Sequence, residues 1–351
     1  MYPESRRLGG ADAKVAAMAR GTATRLAGFA AAAVLAAAAC GNATLTPTIG
    51  PTPVTPPPTA GPTAPPSASP SASPTTIPTA TPAPTPIEGI PAFRHVYVIV
   101  MENKEYGRIV GAKAAPYENS LIARYGLATN FYAERHPSEP NYIAMTSGGL
   151  QGTRTDGYYN LNVPNLFDQI EAAGRTWHVY AQGYPGKCYT GSVAAGGVDG
   201  PGAAGQYARK HNPAISYSSI VSNKTRCANI THLAGFDPAA ADFEFIVPNQ
   251  INDMHSSSVA AGDAFLKLFV PRITGSPAFA DSVLFITWDE GGTYKNGGGH
   301  IATIVVSPGM TPGFRYATFA NHYSWLRTIE DAWRMPYLGL AATATPLTFP
   351  Y

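Results

Sequence analysis

Continuous apolar runs recur along the chain from His95 onward, and each stops abruptly at a polar cluster. His95 to Met101 (HVYVIVM) is the first, and it ends in Glu102-Asn103-Lys104. An uninterrupted apolar run of this kind predicts a strand covered on both faces of a sheet. The pattern then predicts a helix over 116–125, a strand over 127–133, and a short amphipathic helix over 167–173 closed by Gly174. Strands follow over 176–181, 242–248, 281–288 and 301–307, with helices over 260–268 and from His322 through 333. Residues 183–232 are Gly-rich and irregular, and read as an excursion over the active face. Strand and helix alternate throughout, which predicts an α/β fold with a largely parallel central sheet flanked by helices. Ligands of such sheets sit beyond the carboxyl ends of the strands. That is where this chain places its polar clusters.

Composition divides the chain before that point. Residues 1–40 carry Arg20, Arg25 and an apolar stretch from Leu26 to Ala39, too short to span a bilayer comfortably, ending in Ala-Ala-Ala-Cys-Gly. This predicts an export signal of lipoprotein type, with Cys40 as the lipidated residue and the membrane reached through that anchor; a signal cleaved nearby without lipidation is the alternative. Residues 41–90 are dominated by Pro, Thr, Ala and Ser and cannot bury a core, so a disordered, extended stalk is expected. Residues 91–351 are the expected catalytic domain, in a protein that is exported to the envelope or secreted. A net charge of +2 with only 13% charged residues argues against a nucleic-acid groove, and nothing points to a protein partner. Cys188 and Cys227 are the two cysteines beyond Cys40, and in an exported chain an even pair predicts a disulfide.

The stretch His136-Pro137-Ser138-Glu139-Pro140-Asn141-Tyr142 lies between a predicted strand and an apolar, helix-capable run. A serine there sits near a helix N-terminus, where free amides and the dipole welcome an anion. It reads either as an N-cap or as a nucleophile aimed at a phosphoryl or acyl centre, the amides after it and Asn141 serving as donors. Glu102, Asn103, Asp289 and Glu290 offer hard oxygen ligands at two strand ends, with His255, His300 and Asp253 as further candidates. Such a set suits Mg²⁺, Mn²⁺, Ca²⁺ or Zn²⁺ rather than a cysteine-type structural zinc.

Five ordered motifs bring these residues together: Val100-Met101-Glu102-Asn103, the Ser138 stretch, Asn252-Asp253-Met254-His255, Trp288-Asp289-Glu290-Gly291-Gly292 and His322-Tyr323-Ser324. In this order they resemble the bacterial acid phosphatase and phospholipase C phosphoesterase family, over about residues 95–340. The resemblance implies an alkaline-phosphatase-like α/β fold and hydrolysis of phosphate esters. It implies Ser138 as a nucleophile that forms a phospho-enzyme, Glu102, Asn103, Asp289 and Glu290 as ligands of a divalent cation, and His255 with Asn252 and Asp253 near the phosphate. His136 and Asn141 join Ser138 and His255 as expected catalytic residues without a distinct role for each, and His300 and His322 lie in or beside the motifs as further site candidates. Serine at the nucleophile position, and an end soon after the last motif, favour a phosphomonoesterase acting on small-molecule or lipid phosphate esters. A phospholipase C acting on head groups is the alternative, with Tyr158, Tyr159 and Tyr184 as its candidate aromatic rim. A serine esterase lacks a Gly-x-Ser-x-Gly elbow here. A wall- or partner-binding surface protein would show exposed aromatic patches instead of clustered carboxylates.

Overall fold

A computed structural model describes residues 88–191, 193–194 and 207–350. The leader, Cys40 and nearly all of the stalk lie outside the described residues. The strands are β1 (Val96–Met101), β2 (Gly126–Tyr132), β3 (Trp177–Ala181), β4 (Val193–Ala194), β5 (Tyr207–Ala208), β6 (Ile230–His232), β7 (Phe243–Val247), β8 (Val283–Trp288), β9 (His300–Val306), β10 (Phe314–Tyr316) and β11 (Ala320–Asn321). The helices are α1 (Tyr106–Ile109), α2 (Pro116–Arg124), α3 (Ser138–Ser147), α4 (Leu166–Ala172), α5 (Ser218–Val221), α6 (Lys224–Cys227), α7 (Val259–Thr274) and α8 (His322–Trp333).

Among the described residues, nine strands form one sheet in the order β10-β2-β9-β8-β1-β7-β3-β6, with β11 also on β2. Within it only β9 runs against its neighbours β2 and β8; the other pairings are parallel. This is the largely parallel α/β sheet that the alternation of elements predicts. β4 and β5 make a separate antiparallel pair.

Side chains alternate across the sheet, and both faces are covered. Phe243 and Phe285 meet Trp325 of α8, and Trp177 meets Phe167 of α4. On the other face Tyr180 meets Phe236, which packs on Phe269 of α7. The central strands β1, β7 and β8 are therefore buried along their whole length. α7 runs beyond the predicted end at 268 to Thr274 and includes Pro271. Phe269, Val270 and Ile273 continue its buried stripe, so packing outweighs the proline in the last turn.

α3 is buried on every side. Its C-cap, Gly148, has φ +68°, and a Cβ there would stand 2.0 Å from the Leu338 carbonyl oxygen. Only glycine combines that left-handed conformation with so close an approach. Cys188 and Cys227 form the expected disulfide, with Cα atoms 5.6 Å apart. It ties the start of the excursion to α6.

Candidate active site

Because β1, β2, β7 and β8 are parallel, their carboxyl ends open on one edge. β1 delivers Glu102, β8 delivers Asp289, the segment after β7 delivers Asp253 and His255, and the turn after β2 delivers Ser138. Backbone bonds lock the ends together: Glu102 N donates to Asp253 O at 2.8 Å, and Asp289 N to Met101 O at 2.9 Å. Asn103 adopts φ 54°, a left-handed conformation that asparagine tolerates. Its amide N–H donates to Asp289 Oδ1 at 3.1 Å, and its Nδ2 donates to Glu102 Oε2 at 3.1 Å.

Ser138 is the first residue of α3, and Pro137 takes the cap position without a side-chain cap bond. The hydroxyl donates to Glu102 Oε2 at 3.2 Å and accepts from Lys210 Nζ at 3.4 Å. Glu102 is fully buried and also accepts from the Tyr142 hydroxyl. His211 Nε2 lies 3.1 Å from Glu102 Oε1, and its Nδ1 lies 3.2 Å from Asp253 Oδ2. His255 Nε2 lies 3.3 Å from Lys210 Nζ.

Three buried carboxylates thus crowd one point. Desolvation first, then the charges of Asp289 and Asp253, push the Glu102 carboxyl well above its ordinary range. Burial raises Asp253 to about 7 and Asp289 to about 6. Burial, Lys210 and then His211 lower His255 to about 4, which keeps it neutral and able to act as a ligand or acceptor. Like charges held this close call for a cation. One donor atom each from Glu102, His211 and His255 falls within 4.8 Å of the others, a group able to hold a metal ion. Asp289 Oδ2 is buried without a hydrogen-bond partner, and Asp253 Oδ2 faces the His211 ring at 3.2 Å. A buried carboxylate oxygen lacking a donor, beside two imidazoles, fits a divalent cation.

The other predicted residues are placed as follows. Glu290 adjoins the cluster but is engaged by His136 Nδ1 at 3.1 Å and Asn141 Nδ2 at 3.5 Å. Asn141 braces the turn before Ser138: its Oδ1 accepts from the Glu134 and Arg135 amides, and its Nδ2 donates to Arg135 O. The helix amides are less available than the sequence suggests, since Glu139 N donates to Asp156 Oδ1 at 3.0 Å and Pro140 has no N–H. His322 Nε2 donates to the Asp289 carbonyl at 2.8 Å, supporting that residue from behind. His300 begins β9 at the same edge, but its ring stacks on Tyr106 and Tyr132 and bonds Thr129 O, so it does not join the cluster. Asn252 Nδ2 donates to Gln182 Oε1, also outside it. Of the suggested rim, Tyr184 is buried, Tyr159 bonds Thr155, and Tyr158 is exposed over Arg209.

Lys210, His211, Asp156 and Tyr142 carry no assignment from the motifs. Tyr142 lies inside the Ser138 stretch, one helical turn on from Ser138. Lys210 and His211 come from the irregular segment, and these two residues reach the carboxyl edge of the sheet.

The α/β fold gathers this cluster at the carboxyl edge of a mostly parallel sheet, and family and relatives make the chain a phosphoric ester hydrolase. The chain belongs to the Phosphoesterase family, which matches residues 112–336. It is 33% identical over 263 residues to the phosphatidylinositol-3-phosphatase of Mycobacterium tuberculosis, covering 74% of this chain and 83% of that protein. It is 32% identical over 264 residues to a probable acid phosphatase of Kluyveromyces lactis, covering 72% of this chain and 61% of the relative. Among solved structures, a Vibrio parahaemolyticus protein of the alkaline phosphatase superfamily aligns with TM-score 0.49 and 12% identity, covering 77% of this chain and 75% of that one.

Proposed function

We propose that this protein is an exported, metal-dependent phosphomonoesterase that works through a phosphoserine at Ser138. The observation that carries this reading is the setting of the hydroxyl. It stands at the start of a buried helix, between a carboxylate at 3.2 Å and an ammonium at 3.4 Å, on the ligand edge of the sheet. Glu102 Oε2 takes the hydroxyl's hydrogen bond and is placed to hold its proton as Oγ attacks phosphorus. The Oγ–P bond forms as the ester P–O bond breaks and the departing alcohol takes up a proton; water then cleaves the Oγ–P bond, releasing phosphate and restoring the Ser138 hydroxyl. His322 and Asn103 hold Asp289 from its two sides, and Tyr142 orients Glu102. A divalent cation on Glu102, Asp289 and the imidazoles would oppose the phosphoryl charge and make the hydroxyl more acidic.

The relatives' names, an acid phosphatase and a phosphatidylinositol-3-phosphatase, both describe phosphomonoesters. They support this reading over phospholipase C, as does the buried position of Tyr184. Export rests on the leader, with Cys40 as the proposed lipid anchor; no helix among the described residues is long and apolar enough to cross a membrane. A substrate panel tests the assignment. Soluble and lipid phosphomonoesters should be turned over, and diesters such as phosphatidylcholine should be slower by roughly 100-fold or more, a transition-state difference near 3 kcal/mol. Faster diester cleavage would replace this reading with the phospholipase one.

A further inference from the structure

A helix N-terminus ordinarily receives an anion on its first free amides. In α3 much of that provision is committed: Glu139 N donates to Asp156 and Pro140 has no donor, which leaves the Ser138 amide. Positive charge reaches Ser138 instead from Lys210. Its ammonium donates to Ser138 Oγ at 3.4 Å and to Asp156 Oδ2 at 2.9 Å, and lies 3.3 Å from His255 Nε2. An ammonium has three donors, so these three partners use its capacity.

The placement is fixed on both sides. Arg209, nearly fully buried, donates to Glu139 Oε1 at 2.6 Å and to the Gly157 carbonyl at 2.9 Å, which pins the excursion to the first turn of α3. Asp156 uses one oxygen on the helix amide and the other on Lys210, so a single carboxylate registers the ammonium against the helix that carries the hydroxyl. A lysine held in this way keeps little of the freedom of a surface lysine.

Resting on the phosphoserine reading above, we infer that Lys210 seats the substrate's phosphoryl group beside Ser138, and that Asp156 is the positioning residue that holds Lys210 in place. On binding, a non-bridging phosphoryl oxygen replaces Ser138 Oγ or His255 Nε2 as acceptor, while the bond to Asp156 remains. As charge on that oxygen grows in the transition state the contact strengthens. A structural role for Lys210, as counter-ion to the buried carboxylates alone, predicts loss of stability without a change in phosphate affinity.

The test uses metal-loaded full-length enzyme and inorganic phosphate as the probe. Lys210→Met and Lys210→Gln should each raise the phosphate Ki by about tenfold or more, the size of one charge-assisted contact. Their kcat/KM should fall ~100- to 1,000-fold, as for loss of a preorganised donor. Lys210→Arg should recover part of both losses. Asp156→Asn keeps an acceptor for the Glu139 amide but loses the carboxylate charge that holds Lys210, so KM should rise more than kcat falls. An unchanged phosphate Ki in whichever of the two Lys210 variants folds overturns the inference. Ser138→Ala, measured alongside, separates the two readings: if it stays active the phosphoserine fails, while the phosphate Ki still decides Lys210.

Discussion

Glu102 is the residue on which the site converges: Ser138, Asn103, Tyr142 and His211 all reach its two oxygens. With Asp289 and Asp253 buried beside it, its charge is costly unless a cation is present. Glu102→Gln and Asp289→Asn should therefore each lose bound metal together with activity, read by elemental analysis of the purified variants; full metal occupancy in both would contradict the ligand assignment. These carboxylates were legible in the sequence because a polar residue after a buried strand has few places to go but the sheet edge. His300 reaches that edge by another route, as the first residue of the antiparallel β9, but two aromatic rings hold it. Lys210 and His211 were not legible. The partners of Lys210 lie 45 to 72 positions away in sequence, and no periodicity in the excursion marks either residue.

At the scale of elements, strands and helices followed the apolar pattern closely, since burial on both faces leaves a strong signal. The short elements did not: β6, β10, β11 and the turns of helix between 209 and 227 are too brief to carry a period. The run Gly297-Gly298-Gly299 marked only a loop, and the structure supplies its reason. A Cβ at Gly297, with φ +109°, would stand 2.1 Å from the Glu134 carbonyl oxygen, beside the turn that leads to Ser138. The packing of α2 on α7 holds another feature hidden from pattern reading. Glu118 is fully buried there beside the Asp263 carboxylate, with its amide on Asp263 Oδ1 at 2.9 Å. Burial first, then Asp263, raises its carboxyl to about 9 from an ordinary 4.5. The folded chain then keeps a proton that the unfolded chain releases, so its contribution is full below the ordinary value and is lost as pH rises toward about 9. The loss is at most roughly 1.4 kcal/mol per pH unit from this one group. Glu118→Gln should gain stability relative to the native chain at about pH 8 and little at about pH 4, measured by urea unfolding. An equal difference at both pH values would contradict this account.

Across the described residues, segments distant in sequence meet at one sheet edge, and Lys210 and His211 of the disulfide-tied excursion join them there. Among the described residues, the side chains that gather at that edge come from the part of the chain after the proposed leader and stalk, whose proposed task is to place the enzyme outside the cell. The central claim is that this assembly forms a covalent phosphoserine at one position. It is tested most directly by mixing metal-loaded enzyme with a radiolabelled phosphomonoester, quenching in acid and mapping the label by peptide mass spectrometry. The account predicts label on Ser138, and Ser138→Ala that folds, keeps most of its metal, takes up no label and turns over ~1,000-fold or more slowly, beyond the loss of one preorganised donor. A Ser138→Ala enzyme with near-native kcat, or label on another residue, would contradict it and point to direct attack by water.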